Sequence, residues 1–108
     1  MISLTVTLDV HEQHLDAFRA AIAENALRSF SDEPGCVRFD VNQVVYTPTR
    51  FVFYELYADL AALDAHRAAP HFATWRRAAD AFVVAGSQIN TISELLITHD
   101  SNAPKGPS

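Results

Sequence analysis

The spacing of apolar residues switches between a two-residue period and a helical period, and the order of these switches constrains the fold most. Over residues 2–10 every second side chain is apolar, which predicts a strand with one apolar face. Over residues 12–31 the spacing becomes helical, and several alanines favour the same helix. Its apolar stripe comprises Leu15, Phe18, Ile22, Ala26 and Ser29. Pro34 and Gly35 predict the end of this helix, because proline cannot continue it and glycine permits a sharp turn.

The next stretch predicts a pair of strands. Apolar and polar side chains alternate over residues 37–42, and residues 51–57 form a run rich in aromatic and β-branched side chains. Residues 46–50, with a proline at their centre, predict the hairpin connection between them.

The last part of the chain predicts two helices and a fourth strand. Asp59 is a candidate N-cap for a short helix that ends near Arg67. Pro70 suits the first turn of a longer helix, and Gly86 marks its exit. Residues 89–98 predict the closing strand.

The predicted order is therefore βαββααβ, which is typical of an α+β, ferredoxin-like fold with a four-stranded antiparallel sheet and helices on one face. With 108 residues, of which 49% are hydrophobic, the chain suits one domain, and two domains are not expected. We expect the domain to occupy residues 1–98. Residues 99–108 lack apolar periodicity and contain proline, glycine and serine, so we expect a flexible C-terminal tail.

The third strand places apolar groups on both of its faces, although the helices can cover only one. The chain has no further predicted helix for the second face. We therefore expect an identical sheet to cover it in a two-fold homodimer, which would make a dimeric α/β barrel.

Composition and charge limit the classes of partner that the chain is expected to bind. Thirteen acidic against eight basic residues give a formal charge of −5, without a basic block, so nucleic acid is not expected. No apolar run is long enough to span a bilayer, and the N-terminus lacks a signal-peptide pattern, which predicts a cytoplasmic protein without membrane contact. A single cysteine, Cys36, excludes an intrachain disulfide and is interpreted as a small buried hydrophobe. The three glycines do not match nucleotide or flavin spacing.

Three polar side chains are candidates for chemistry. Asn25 falls on the inward stripe of the first helix, so it either faces a cavity or bonds to the nearby backbone. His66 and His71 flank the break between the last two helices, where they either line a pocket and serve as a base or act only as capping and packing groups. Metal binding by the pair is not expected, because no third ligand is evident.

Glu55 and Tyr54 interrupt the most apolar strand on opposite sides. Glu55 is paired across the dimer, exposed at an edge or functional, and pairing is the favoured interpretation. Tyr54 either orients a ligand with its hydroxyl or donates to a backbone carbonyl.

Residues 33–41 (EPGCVRFDV), residues 53–59 (FYELYAD), Ala65-His66 and the run 70–72 (PHF) together resemble the antibiotic biosynthesis monooxygenase family. The resemblance spans residues 2–98 in element order. Members of the family include quinol monooxygenases and an isomerase of phosphorylated autoinducer-2. It implies a pocket between the helices and the sheet of each subunit. The residues that it places there are Asn25, Phe39, Tyr54, His66, His71 and Trp75.

The first function that the resemblance implies is a cofactor-independent monooxygenase with dioxygen as co-substrate and a small quinol-type aromatic substrate. His66 is the first choice for the base that removes a phenolic proton, with His71 second. Asn25 and Tyr54 would hold the substrate oxygen. The rings that would stack on the substrate are Phe39, Phe72 and Trp75.

Other functions stay open. An isomerase of a small phosphorylated diketone needs the same kind of base together with cations for the phosphate, but the arginines are scattered along the sequence. Haem degradation, a further activity within this family, ranks below these two. The resemblance implies an asparagine on the first strand for that activity, whereas the polar face of this strand carries Ser3, Thr5, Thr7 and Asp9. A non-catalytic dimeric module that only binds a ligand is the non-enzymatic alternative.

Overall fold

The computed structural model describes residues 1–100, and its elements follow the predicted order. The strands are β1 (Ile2–Asp9), β2 (Cys36–Gln43), β3 (Arg50–Tyr57) and β4 (Ile89–Glu94). The helices are α1 (Leu15–Asp32), α2 (Leu60–Ala68) and α3 (Pro70–Phe82), and a 3-10 turn (Glu12–His14) precedes α1. Of the predicted tail, residues 101–108 lie outside the described residues.

The four strands form one sheet in the order β2-β3-β1-β4, and each neighbouring pair is antiparallel. The predicted α+β, ferredoxin-like architecture is therefore confirmed. Within residues 1–100, no helix combines the length and apolarity needed to cross a bilayer.

The core lies between the sheet and the helices, and Phe18 of α1 is at its centre. Phe18 is fully buried, with its ring centroid 4.7 Å from that of Phe51 and 5.6 Å from that of Trp75. Leu8 and Phe53 are among the strand residues of this cluster. The alternation in β1 and β3 determines which side chains reach this core, because successive residues of a strand point to opposite faces.

The ends of α2 and α3 follow from local chemistry. The Asp59 carboxylate accepts a hydrogen bond of 2.8 Å from the backbone N–H of Ala62, which confirms the predicted N-cap. Pro70 is the first residue of α3, as predicted. The exit of α3 comes earlier than predicted, at Phe82, and Gly86 instead supplies a positive φ of 78° in the following loop.

The closing strand is shorter than predicted and ends at Glu94, so the prediction of a strand through residue 98 was wrong. Glu94 pairs with Ile2, the first residue of β1, and the backbone N–H of Leu95 donates to the carbonyl of Met1. Beyond that point β1 offers no backbone groups with which β4 could pair.

The sheet face turned away from the helices carries the second apolar set of β3. Val52 and Tyr54 are half-buried there, Leu56 is 7% exposed within one chain, and Ile89 of β4 adds an exposed side chain to the same face. The homodimer and its barrel stay a prediction for this face.

Candidate active site

A pocket of about 620 Å³ lies between the sheet and helices α2 and α3. Its floor includes Phe39, Phe53 and Glu55 from the strands, and its helical wall includes His66 and Trp75. The loop that follows α3 completes the lining on the side of β4. The pocket therefore combines aromatic surface with titratable groups, among them the buried His66 and Glu55, which is the composition expected of a small-molecule site.

Glu33, His66 and His71 meet in one cluster next to this pocket. His66 Nδ1 lies 2.9 Å from one carboxylate oxygen of Glu33, and His71 Nε2 is hydrogen bonded to the same oxygen. Glu33 follows the last residue of α1, whereas the two histidines lie in α2 and α3. One carboxylate therefore ties the start of α3 to the last turn of α2.

Glu33 was not among the residues predicted for the site, because the sequence around it predicts only the end of the first helix. A carboxylate at the C-terminal end of a helix lies near the negative end of the helix dipole, so it needs a donor from elsewhere, and this was a usable signal. Gly35 makes the approach possible, because a Cβ there would lie only 2.4 Å from the Cβ of Ala62. The turn after α1 can therefore press against α2, where His66 lies.

The Glu33 contact sets the orientation of His66. An ionised carboxylate only accepts hydrogen bonds, so Nδ1–H of His66 donates to Glu33 and the lone pair is left on Nε2. His66 is 3% exposed, and burial lowers its pKa despite the opposing effect of Glu33. The imidazole is therefore suited to remain a neutral base, with Nε2 on the side of Glu55 at 3.7 Å from its Oε1.

Glu55 is a second titratable group that lines the pocket. It is 3% exposed, and its Oε1 accepts a 2.6 Å hydrogen bond from the hydroxyl of Tyr57. Burial raises the pKa of Glu55 to about 7, and the Glu33 charge acts in the same direction, while the Tyr57 hydrogen bond opposes them. The favoured sequence interpretation, pairing across a dimer, is corrected: Glu55 lies on the helix-covered side and finds its partner on its own strand.

We expect Glu55→Gln to remove a loss of stability at high pH. Because the pKa of Glu55 is higher in the folded chain than in the unfolded chain, the protonated acid adds to the free energy of unfolding. This contribution is complete below about pH 4.5 and is lost as pH rises through about 7. This shift corresponds to about 3 kcal/mol at about 1.36 kcal/mol for each pKa unit. Urea unfolding at several pH values should show a smaller decline above pH 5 in the variant.

The control for this prediction is Glu94→Gln, which changes an exposed carboxylate on β4. It should keep the pH dependence of the parent chain. An identical decline in Glu55→Gln and the parent would contradict the assignment of the titration to Glu55.

Asn25 faces a cavity, which is one of the two alternatives that the sequence left open for it. It is 3% exposed and lines the main pocket, and its Oδ1 has no hydrogen-bond partner within residues 1–100. A buried acceptor without a partner costs free energy, so a donor group on a bound ligand would be stabilised there.

The other predicted site residues divide into two groups. Phe39, Phe72 and Trp75 line the pocket, and the Phe72 ring lies edge-on to His66 at 5.2 Å. Tyr54 lies on the opposite sheet face, next to Arg38, so its predicted place in this pocket was wrong. It follows Phe53 directly, and neighbouring residues of a strand cannot both face the helices.

His71 lies outside the lining of the main pocket. It borders a smaller cavity of about 270 Å³ between α1 and α3. The cluster with Glu33 nevertheless brings it close to His66, with ring centroids 6.1 Å apart. The structure also supplies, in Glu33, the third potential metal ligand that the sequence did not reveal.

Two arginines that seemed scattered in the sequence line the same pocket. Arg67 extends from α2 and Arg76 from α3. Arg76 donates to Gln88 at 3.3 Å and lies 3.5 Å from the carboxylate of Asp80. The pocket therefore presents two guanidinium groups beside the buried His66 and Glu55, with the Asp80 carboxylate also in its lining. Beside the larger effect of burial, the Arg67 charge acts on both buried groups and lowers the pKa of each.

Cys36 is buried, and burial raises the pKa of its thiol to about 11. A thiol with a raised pKa carries little nucleophilic thiolate near neutral pH. This agrees with the interpretation of Cys36 as a small buried hydrophobe.

Curated relatives share about two thirds of the chain. An isomerase of (4S)-4-hydroxy-5-phosphonooxypentane-2,3-dione from Yersinia enterocolitica is 42% identical over 72 residues, which cover 67% of this chain and 70% of the relative. The enzyme of the same description from Salmonella paratyphi B is 41% identical over 69 residues, covering 64% and 71%.

Solved structures share the whole fold. A protein of Nitrosomonas europaea assigned to the antibiotic biosynthesis monooxygenases superposes with a TM-score of 0.83 at 33% identity, covering 90% of this chain and 100% of that one. Rv0793 of Mycobacterium tuberculosis has a TM-score of 0.82 at 20% identity, covering 92% and 98%, and this match supports the fold alone.

The family model described as antibiotic biosynthesis monooxygenase matches residues 1–78, which include β1 to β3, α2 and most of the pocket lining. Together with the shared architecture, this match shows that the chain belongs to the antibiotic biosynthesis monooxygenase family.

Proposed function

We propose that the chain is an isomerase that moves a proton between adjacent carbons of a small phosphorylated hydroxy ketone. The observation that carries this proposal is the presence of a buried histidine, a buried carboxyl group and two arginines around one pocket. The 41–42% identity to isomerases of a phosphorylated hydroxydione supports the same substrate class. The sequence analysis placed this function behind the monooxygenase, and the relatives favour the reverse order.

In the proposed reaction, His66 Nε2 takes the proton from the carbon that bears the hydroxyl group next to a ketone. The protonated form of Glu55 gives its proton to the ketone oxygen, so an enediol forms. The original hydroxyl then returns a proton to Glu55, while the imidazolium of His66 protonates the neighbouring carbon. The ketone and the hydroxyl exchange places, both residues regain their starting forms, and no electrons enter or leave the substrate.

The directions in which the pKa values of His66 and Glu55 are shifted support these roles. A histidine with a lowered pKa is neutral near pH 7 and can accept a proton, and a carboxyl group with a pKa of about 7 is partly protonated and can donate one. Asn25 would accept a hydrogen bond from a substrate hydroxyl through its unpartnered Oδ1.

Arg67 and Arg76 would bind the phosphate. Charge-assisted hydrogen bonds from guanidinium groups to phosphate oxygens are stronger than neutral ones and fix the orientation of the ligand. Held there, the phosphate would place the reacting carbons toward His66. In this proposal the two arginines orient the substrate, while His66 and Glu55 transfer the protons.

Arg76→Gln is expected to lower kcat/KM for the phosphorylated hydroxydione by roughly 10- to 100-fold, mainly through KM, because a hydrogen bond to a charged group contributes about 1.5–3 kcal/mol. The corresponding unphosphorylated hydroxydione should be turned over equally by the variant and the parent. Both are measured by following isomer conversion with NMR.

Arg77→Gln is the matched control, since Arg77 is the next residue of α3, is exposed and does not line the pocket. It should leave kcat/KM unchanged. If the parent converts phosphorylated and unphosphorylated substrates equally well, the phosphate assignment is wrong. If it converts neither, the isomerase proposal is wrong.

A cofactor-free monooxygenase is the second candidate, and the aromatic lining favours it. Phe39, Phe53, Phe72 and Trp75 offer faces and edges on which a quinol ring could pack. Oxygen uptake by chelator-treated protein with hydroquinones and anthrones tests it. Uptake above the spontaneous rate that depends on His66 would support this candidate over the isomerase.

A further inference from the structure

Three potential metal ligands from three separate elements converge behind His66. One ligand atom each from Glu33, His66 and His71 lies within 4.8 Å of the other two. The nitrogens that contact the Glu33 carboxylate are Nδ1 of His66 and Nε2 of His71. Their side chains are 11%, 4% and 15% exposed, so they are shielded from bulk water but reachable from the surface at His71. The cluster lies on the Nδ1 side of the imidazole, away from Nε2 and Glu55.

The donor set suits a divalent transition metal. Two imidazole nitrogens and one carboxylate oxygen are a common three-residue ligand set for Zn²⁺, whereas Mg²⁺ and Ca²⁺ prefer oxygen ligands. Tetrahedral bonds of about 2.0–2.1 Å place neighbouring ligand atoms about 3.4 Å apart. The distances of 2.9 and 3.1 Å from His66 Nδ1 to the two Glu33 oxygens need to open by a few tenths of an ångström. The contact between His71 Nε2 and Glu33 is shorter and must open further, through rotation of the His71 side chain.

We propose that Glu33, His66 and His71 bind one divalent transition-metal ion, such as Zn²⁺, and that the bound ion switches off His66 as a base. The second part rests on the proposed isomerase function, and the first part does not. An ion at Nδ1 must replace the proton there, and the neutral imidazole then carries its proton on Nε2. Nε2 becomes a donor and can no longer take a proton from the substrate.

The same three side chains thus have two arrangements. Without an ion, the Glu33 carboxylate holds both imidazoles by hydrogen bonds and leaves Nε2 of His66 free toward the pocket. With an ion, the cluster is held by coordination, and the pocket keeps its shape but loses its base. The expected effect is inhibition of kcat without competition between metal and substrate.

Binding is tested first, without substrate. Chelator-treated protein is titrated with Co²⁺, whose visible absorption reports tetrahedral coordination by nitrogen and oxygen, and with Zn²⁺ by calorimetry. We expect one ion per chain, and a loss of affinity of roughly tenfold or more in both His71→Gln and Glu33→Gln. Circular dichroism of each variant checks that it is folded.

His11→Gln is the control, because His11 and His14 are neighbours at the start of the first helical segment and could bind metal adventitiously. This variant should bind one ion as the parent does. Failure of the parent to bind one ion per chain, or full retention of binding in His71→Gln and Glu33→Gln, would overturn the metal site.

The switch is tested separately in the NMR assay of isomer conversion, with each variant compared with its own metal-free rate. Zn²⁺ should suppress turnover by the parent and by His11→Gln, with half-inhibition at the concentration that half-fills the site. His71→Gln should need roughly tenfold more Zn²⁺ for the same inhibition. Turnover that persists in the Zn²⁺-loaded parent would overturn the switch even if the site binds metal.

Discussion

The His66→Gln variant is expected to lose roughly 10²- to 10⁴-fold in kcat/KM, because it lacks the nitrogen that takes the substrate proton. The amide of glutamine can still donate to Glu33, so the surroundings of the cluster should persist. Initial rates of isomer conversion, measured with the phosphorylated hydroxydione, check this prediction. The loss should appear mainly in kcat, since the arginines that hold the phosphate are unchanged.

The pH profile of the parent provides a second readout for the same residue. Turnover should rise as His66 loses its proton, with a midpoint below the ordinary pKa of 6.5 because burial lowers it. It should fall again as Glu55 loses its proton near pH 7, so the profile is bell-shaped, and its two limbs belong to the interacting pair.

His11→Gln serves as the matched control, since it replaces an exposed histidine outside the pocket. Its rates should equal those of the parent at every pH. A His66→Gln variant that retains more than about a tenth of the parental kcat/KM would rule out His66 as the base.

The largest expected effect on stability comes from Phe18→Ala, at about 3–5 kcal/mol. The Phe18 ring is fully buried and meets rings from two different elements, Phe51 in β3 and Trp75 in α3. Its removal would leave a cavity between the sheet and the helices. The expected loss of stability is a large part of the roughly 5–15 kcal/mol that stabilises a typical domain. Urea unfolding followed by circular dichroism measures the change.

Phe30→Ala makes the same chemical change on the same helix at a position that is 59% exposed. It should alter the free energy of unfolding by no more than about 0.5 kcal/mol. Equal effects of the two substitutions would show that burial in one chain does not determine their contribution.

The sequence by itself determined the order and type of the elements. Apolar alternation identified β1 and β2, and the run of aromatic and β-branched residues identified β3. The helical stripe identified α1, and Asp59 and Pro70 identified the starts of the last two helices. These signals are local, since they depend on side-chain direction and hydrogen bonding within a few residues. For the same reason, Asn25 could be recognised as an inward-facing polar residue on α1.

Sheet pairing decided the features that extend beyond one element. The end of β4 depends on where β1 begins, although the two strands are far apart in the sequence. The register of β3 against β1 and β2 places Glu55 in the pocket and Tyr54 on the outer face. A sequence pattern separates these two faces, but it does not say which of them the helices cover.

Helix packing decided the chemistry of the site. Glu33 reaches His66 and His71 because Gly35 lets the end of α1 approach α2. Arg67 and Arg76 line the same pocket because their helices border it. Such contacts join residues up to 38 positions apart, as in the pair Glu33 and His71, so no local period or spacing encodes them. The sequence therefore identified the two histidines and Glu55, whereas the tertiary structure brought Glu33 and the two arginines to them.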